Sequence, residues 1–97
     1  MIIVHDIFIC KPGNASKMAK LFKEVMAGNN ELVNIMTDVT GQYNKVVMVS
    51  KYENLTAYEQ SWEKYQQNAE EMEKMKEKMK GYTDMYLTGS REIYQVW

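Results

Sequence analysis

At 97 residues, with 12 basic and 13 acidic side chains and a formal net charge of −1, the chain carries no basic stripe to neutralise a phosphate backbone, which argues against nucleic acid as a partner. Its one cysteine, Cys10, excludes an internal disulfide framework and fits a reducing cytoplasm. A lone domain of this size buries only about 60–65% of its unfolded surface, so a single domain spanning residues 1–97 gains from dimerisation.

The run Met1–Cys10 lacks a cationic head, contains His5 and Asp6 and is too short to cross a bilayer, so it reads as a first strand rather than a leader or membrane span. One parity of Ile2–Cys10 carries Ile2, Val4, Phe8 and Cys10, and the other carries Ile3, Ile7 and Ile9. Both faces of this strand are therefore apolar, and one layer of helices covers only one of them. The economical cover for the second is another copy of the same sheet.

Lys11-Pro12-Gly13-Asn14 then supplies a break and a capping residue. Apolar residues recur at Ala15, Met18, Ala19, Phe22, Val25 and Met26, which predicts an amphipathic helix ended by Gly28-Asn29-Asn30. A second strand is predicted from about Leu32 to Thr40. It turns at Gly41-Gln42 into a third, Tyr43–Tyr52, as an antiparallel hairpin. Asn54 is a predicted cap for a second helix, running to a stop at Gly81, in which Leu55, Tyr58, Trp62, Tyr65, Ala69, Met72 and Met79 form the stripe towards the sheet. The charged run Glu70–Lys80 reads as its solvated face. Tyr82–Trp97 is β-rich and apolar on both parities. The order strand, helix, strand, strand, helix, strand is satisfied by a ferredoxin-like α+β fold: a βαββαβ chain with a four-stranded antiparallel sheet and two helices on one face.

On this pattern the chain resembles the dimeric α/β-barrel superfamily, in which two ferredoxin-like subunits set their sheets face to face. The resemblance is to its NIPSNAP-like branch first and its antibiotic-biosynthesis-monooxygenase-like branch second. It is carried by Lys11-Pro12-Gly13 leading into a helix, the hairpin Thr40-Gly41-Gln42-Tyr43-Asn44, Tyr52-Glu53-Asn54-Leu55 and Arg91-Glu92-Ile93-Tyr94. It implies a homodimer with a cavity between each sheet and its helices. Members include cofactor-independent monooxygenases, heme-degrading enzymes and proteins without known activity. Heme-degrading relatives use a histidine on the second helix; Trp62 matches their tryptophan, but Asn54–Lys80 contains no histidine, which argues against that chemistry.

Tyr58, Trp62 and Tyr65 fall on one helical face and either line a pocket for a flat substrate or form an aromatic core stripe; periodicity does not separate the two. Arg91 either anchors an anionic group of a substrate or forms a salt bridge, to Asp6, to Glu53 or to Glu92 of a neighbouring subunit. His5 interrupts an apolar parity. It is a candidate acid–base residue, or a structural histidine with a hydrogen-bond partner. Metal-ligand spacings are absent, so no metal or other cofactor is expected. The functional expectation is a small-molecule enzyme of the cofactor-independent monooxygenase type acting on a planar hydrophobic substrate. The alternative is a non-catalytic dimer that holds a small hydrophobic ligand or a protein partner.

Overall fold

The computed structural model describes residues 1–97. It contains strand β1 (Ile2–Cys10), helix α1 (Ala15–Val25), strands β2 (Leu32–Thr37) and β3 (Lys45–Tyr52), helices α2 (Leu55–Gln67) and α3 (Ala69–Lys78), and strand β4 (Tyr86–Gln95). The four strands form one antiparallel sheet in the order β2-β3-β1-β4. This is the ferredoxin-like α+β arrangement expected from the sequence.

Strand β1, apolar on both parities, lies inside the sheet between β3 and β4. Asp6 stands opposite Met48 on one side and Arg91 on the other, and Val4 stands opposite Ser50 and Ile93. The pleat sends Ile2, Val4, Asp6 and Phe8 to one face. That face meets the helices, because the Phe8 ring lies 5.1 Å from the Phe22 ring of α1. The core beneath α1 is built from buried Cys10, Met18, Phe22 and Val46. Cys10 Sγ lies 3.4 Å from Met18 Sδ, and burial pushes the thiol pKa up. Cys10 is thus a small apolar filler rather than a reactive group.

Asn14 precedes α1, but its side chain makes no capping hydrogen bond, contrary to expectation. Beyond the helix Gly28 adopts φ +83°, the left-handed turn the sequence called for. Asn54 does cap α2: its Oδ1 accepts from the Ala57 N–H at 2.8 Å. Asn54→Ala is expected to cost about 1 kcal/mol, measurable as a lower midpoint in denaturant-induced unfolding.

Three boundaries differ from the sequence reading. The second helix is two helices, because Asn68, at φ −100° and ψ 87°, leaves the helical region and caps α3 by accepting from the Glu71 N–H at 3.1 Å. Its short amide side chain competes for backbone groups and favours a new start over continuation. The β2–β3 hairpin is looser than a tight turn. Strand β2 ends at Thr37, β3 begins at Lys45, and Asp38 Oδ1 holds the connection by accepting from the Lys45 N–H at 2.8 Å. The last segment starts with a 3-10 turn, Tyr82–Asp84, before β4 begins.

Coverage of the sheet is one-sided. The helices lie on the Phe8 face, and period-two alternation directs Ile3, His5, Ile7 and Ile9 of β1 and Val47 of β3 to the other. Strand β4 occupies an edge and is exposed along nearly its whole length, so its two parities are not both covered within one protomer. No helix is long and apolar enough to cross a membrane.

Candidate functional site

Neither α2 nor α3 contains a fully buried residue, although their apolar stripe points inward. The reason is a gap. A cavity of about 550 Å³ lies among the helices and the sheet. Its floor comes from the helix-facing parity: Asp6 and Phe8 of β1, Met48, Ser50 and Tyr52 of β3, and Arg91 of β4. Phe22 and Val25 of α1 and Met26 just beyond it form one wall, and Tyr58, Ser61, Trp62 and Tyr65 of α2 form the other. Met75 and Met79 of α3 lie towards one end.

The aromatic wall is an unbroken series of edge-on contacts. Tyr52 meets Tyr58 at 5.0 Å between centroids, Tyr58 meets Trp62 at 6.4 Å, and Trp62 meets Tyr65 at 6.2 Å. Rings held at near right angles satisfy their quadrupoles and present both faces and edges to an occupant. Trp62 is 42% exposed, which a tryptophan in a closed core would not be. Leu55, expected at the head of the same stripe, is 60% exposed and takes no part in the lining.

Arg91 is the fixed charge of the cavity. Directly opposite Asp6 across the β1–β4 ladder, its Nε donates to Asp6 Oδ1 at 2.6 Å. Same-face cross-strand neighbours are the pairs a sheet brings into contact, which selects Asp6 over Glu53 and Glu92. The guanidinium carbon also lies 5.9 Å from the Tyr58 ring centre and 5.5 Å from that of Trp62. Each such cation–π contact contributes roughly 0.5–1 kcal/mol at a partly exposed position. The hydrogen bond to Asp6 raises the Arg91 pKa above its already high ordinary value, so the cation persists at every working pH.

The Tyr58 hydroxyl is buried near the Arg91 guanidinium but makes no well-formed hydrogen bond. An orphaned buried donor costs free energy that removing it recovers. Tyr58→Phe is therefore expected to leave the fold intact and raise stability by roughly 1 kcal/mol, checked by equilibrium urea unfolding; a loss of stability would mean that the hydroxyl is satisfied.

Of the residues singled out from sequence, Tyr58, Trp62, Tyr65 and Arg91 converge on this cavity. His5 does not. It lies on the opposite face of the sheet, where its ring meets Tyr94 edge-on at 5.2 Å in place of the expected polar partner. Sequence reasoning passed over Ser50 and Tyr52 as cavity residues and gave Asp6 only as one possible partner of Arg91. The available signal was polarity on the helix-facing parity: Asp6, Ser50 and Arg91 are polar where a closed core would be apolar. No group of three His, Cys, Asp or Glu side chains is arranged to hold a metal ion.

The family model described as NIPSNAP matches residues 7–85 of the chain. The chain belongs to the NIPSNAP family. Among solved structures, this NIPSNAP chain is similar to an uncharacterized NIPSNAP-like domain protein from Burkholderia xenovorans, with a TM-score of 0.78 and 17% identity over 99% of this chain and 84% of that one. It is similar to a NIPSNAP family protein from Agrobacterium tumefaciens, with a TM-score of 0.78 and 14% identity over 97% and 90%. A putative antibiotic biosynthesis monooxygenase from Deinococcus radiodurans shares the fold at a TM-score of 0.60 and 11% identity over 100% and 93%. No curated protein matches the sequence.

Proposed function

We propose that the protein is a small-molecule binder that takes a planar, largely apolar ligand into the cavity between helices and sheet. The observation that carries this reading is the cavity itself, at about 550 Å³ and lined mostly by aromatic, methionine and aliphatic side chains around one fixed charged pair. Small-ligand sites combine apolar bulk with a few placed polar groups, at volumes of roughly 300–1,000 Å³. A ring system would lie along Tyr58, Trp62 and Tyr65, with Met48, Met75 and Met79 adjusting to its outline. Calorimetric titration with a naphthalene-sized aromatic tests it. The expectation is saturable micromolar binding that Trp62→Ala weakens at least tenfold without unfolding the protein; absence of binding to the wild type would contradict it.

A second reading is cofactor-independent oxygenation of such a ligand. It is favoured by the position of Arg91, where a ring hydroxyl could ionise beside a permanent cation, and by the fold shared with proteins named antibiotic biosynthesis monooxygenase. The substrate would supply the electrons: a ring methylene becomes a carbonyl, and the second oxygen atom of O₂ leaves as water. Oxygen uptake with anthrone-type substrates, whose ring methylene supplies the electrons, compared with Tyr58→Phe, Trp62→Phe protein, tests this step. Uptake no greater than in the variant would leave binding alone. His5, on the other face, has no part in either reading.

We also infer a homodimer built on the uncovered sheet face, where Ile3, Ile7, Ile9 and Val47 have no helix above them. A reducing, cytoplasmic setting fits the single free thiol.

A further inference from the structure

We propose that the cavity selects a planar ligand bearing an anionic oxygen group, carboxylate or phenolate, which accepts hydrogen bonds from the Nη edge of Arg91 while its ring lies against Trp62 and Tyr65. This rests on the cavity being a ligand site and adds the class of ligand.

Three observations carry it. Asp6 engages the guanidinium only through Nε, end-on, and the Tyr58 hydroxyl beside it makes no well-formed hydrogen bond with it, so the forked edge keeps Nη hydrogens for a ligand. Arg91 lines the cavity, and its side chain remains 46% exposed against 14% for Asp6, so the cation rather than its counterion is the accessible member of the pair. The guanidinium is already oriented by Asp6 and by the rings of Tyr58 and Trp62, so an incoming acceptor meets a donor edge that has lost its rotamer freedom before binding.

The same geometry disfavours the opposite class at the aromatic wall. Aromatic walls of this type suit cationic ligands, but this one already hosts a cation, and a second would be repelled at contact distance. Lys76 adds another positive charge to the lining; the remaining carboxylate, Glu31, belongs to the connection after α1.

Calorimetric titrations of the protein with 2-naphthoate, 2-naphthol, 2-naphthylmethanol and 2-naphthylmethylamine separate the alternatives. Support is 2-naphthoate, or 2-naphthol with an affinity that climbs as its hydroxyl ionises, binding at least tenfold tighter than the neutral alcohol, as charge-assisted hydrogen bonds require. The first outcome identifies a carboxylate and the second a phenolate, and in both the amine binds weakest. Arg91→Gln removes the preference; should that variant not fold, Asp6→Asn with Arg91→Gln, which cancels both charges, supplies the same comparison. Equal affinity for anion and neutral alcohol would overturn the anion claim and leave the cavity as an apolar site. Failure of all four to bind would overturn both.

Discussion

Under the proposed face-to-face dimer, Ile7→Glu is expected to sediment as a monomer where the wild type sediments as a dimer. Ile7 occupies the middle of β1, opposite Val47 on one side and Ser90 on the other, on the face that no helix covers. In a solitary protomer a glutamate there would point into water at little cost. In a dimer closed through this face each protomer would bury a carboxylate, and an unpaired buried charge costs more than any one apolar contact returns. Sedimentation equilibrium at micromolar protomer concentration should give twice the 11.4 kDa chain mass for the wild type and the chain mass itself for the variant. A wild type that sediments as one chain, or a variant that still sediments as two, would contradict the face-to-face dimer.

Met18→Ala is expected to be the most destabilising single methionine substitution, at about 2–5 kcal/mol. Met18 is completely buried and sits in the cluster formed with Cys10, Phe22 and Val46. Its thioether is in contact with Cys10 Sγ. Truncation leaves a hole walled by α1 and the sheet, neither of which can close over it without disturbing the strand register. For a domain with a total stability of roughly 5–15 kcal/mol, this lowers the thermal midpoint by about 10 °C or more. The melt must be run at fixed protomer concentration, since association shifts the midpoint by mass action. Met72→Ala, at a half-buried position on α3, is the control and should cost less than half as much.

The sheet and its partners were legible because their signals are local and redundant. The apolar run Ile2–Cys10 marked a strand, and Asn54 before an apolar period marked a helix start. The break at Asn68 was not legible: Tyr65, Ala69, Met72 and Met79 keep their spacing across it, and a period of 3.6 is blind to one non-helical residue when the next helix resumes in phase. The β2–β3 connection was missed for the opposite reason. Val39 and Tyr43 have strand-like side chains, yet they stand almost fully in water, at 97% and 85% exposed, where Gly41 at φ +125° and Asn44 at φ +63° turn the chain.

The candidate site was half legible. Spacing put Tyr58, Trp62 and Tyr65 on one face, but a stripe does not reveal whether it closes on the sheet or stands off from it. The gap follows from what lies beneath the stripe. Asp6, Ser50 and Arg91 make the floor polar at places where an apolar residue would have drawn the helix down. Reading β1, β3 and β4 together, at the register in which Asp6 meets Arg91, exposes that polar row; reading each strand alone does not.

The most direct test of the ligand cavity is a chemical-shift titration of the protein with 2-naphthoate, because the two tryptophans report on different regions. Trp62 lines the cavity, and Trp97 is fully exposed outside it. The indole N–H of Trp62 and the methyls of Met48 and Met79 should shift together and saturably while the Trp97 indole stays still. Silence at Trp62, with shifts confined to Trp97 or to the methyls of Ile3, Ile7 and Ile9, would contradict a ligand site between helices and sheet.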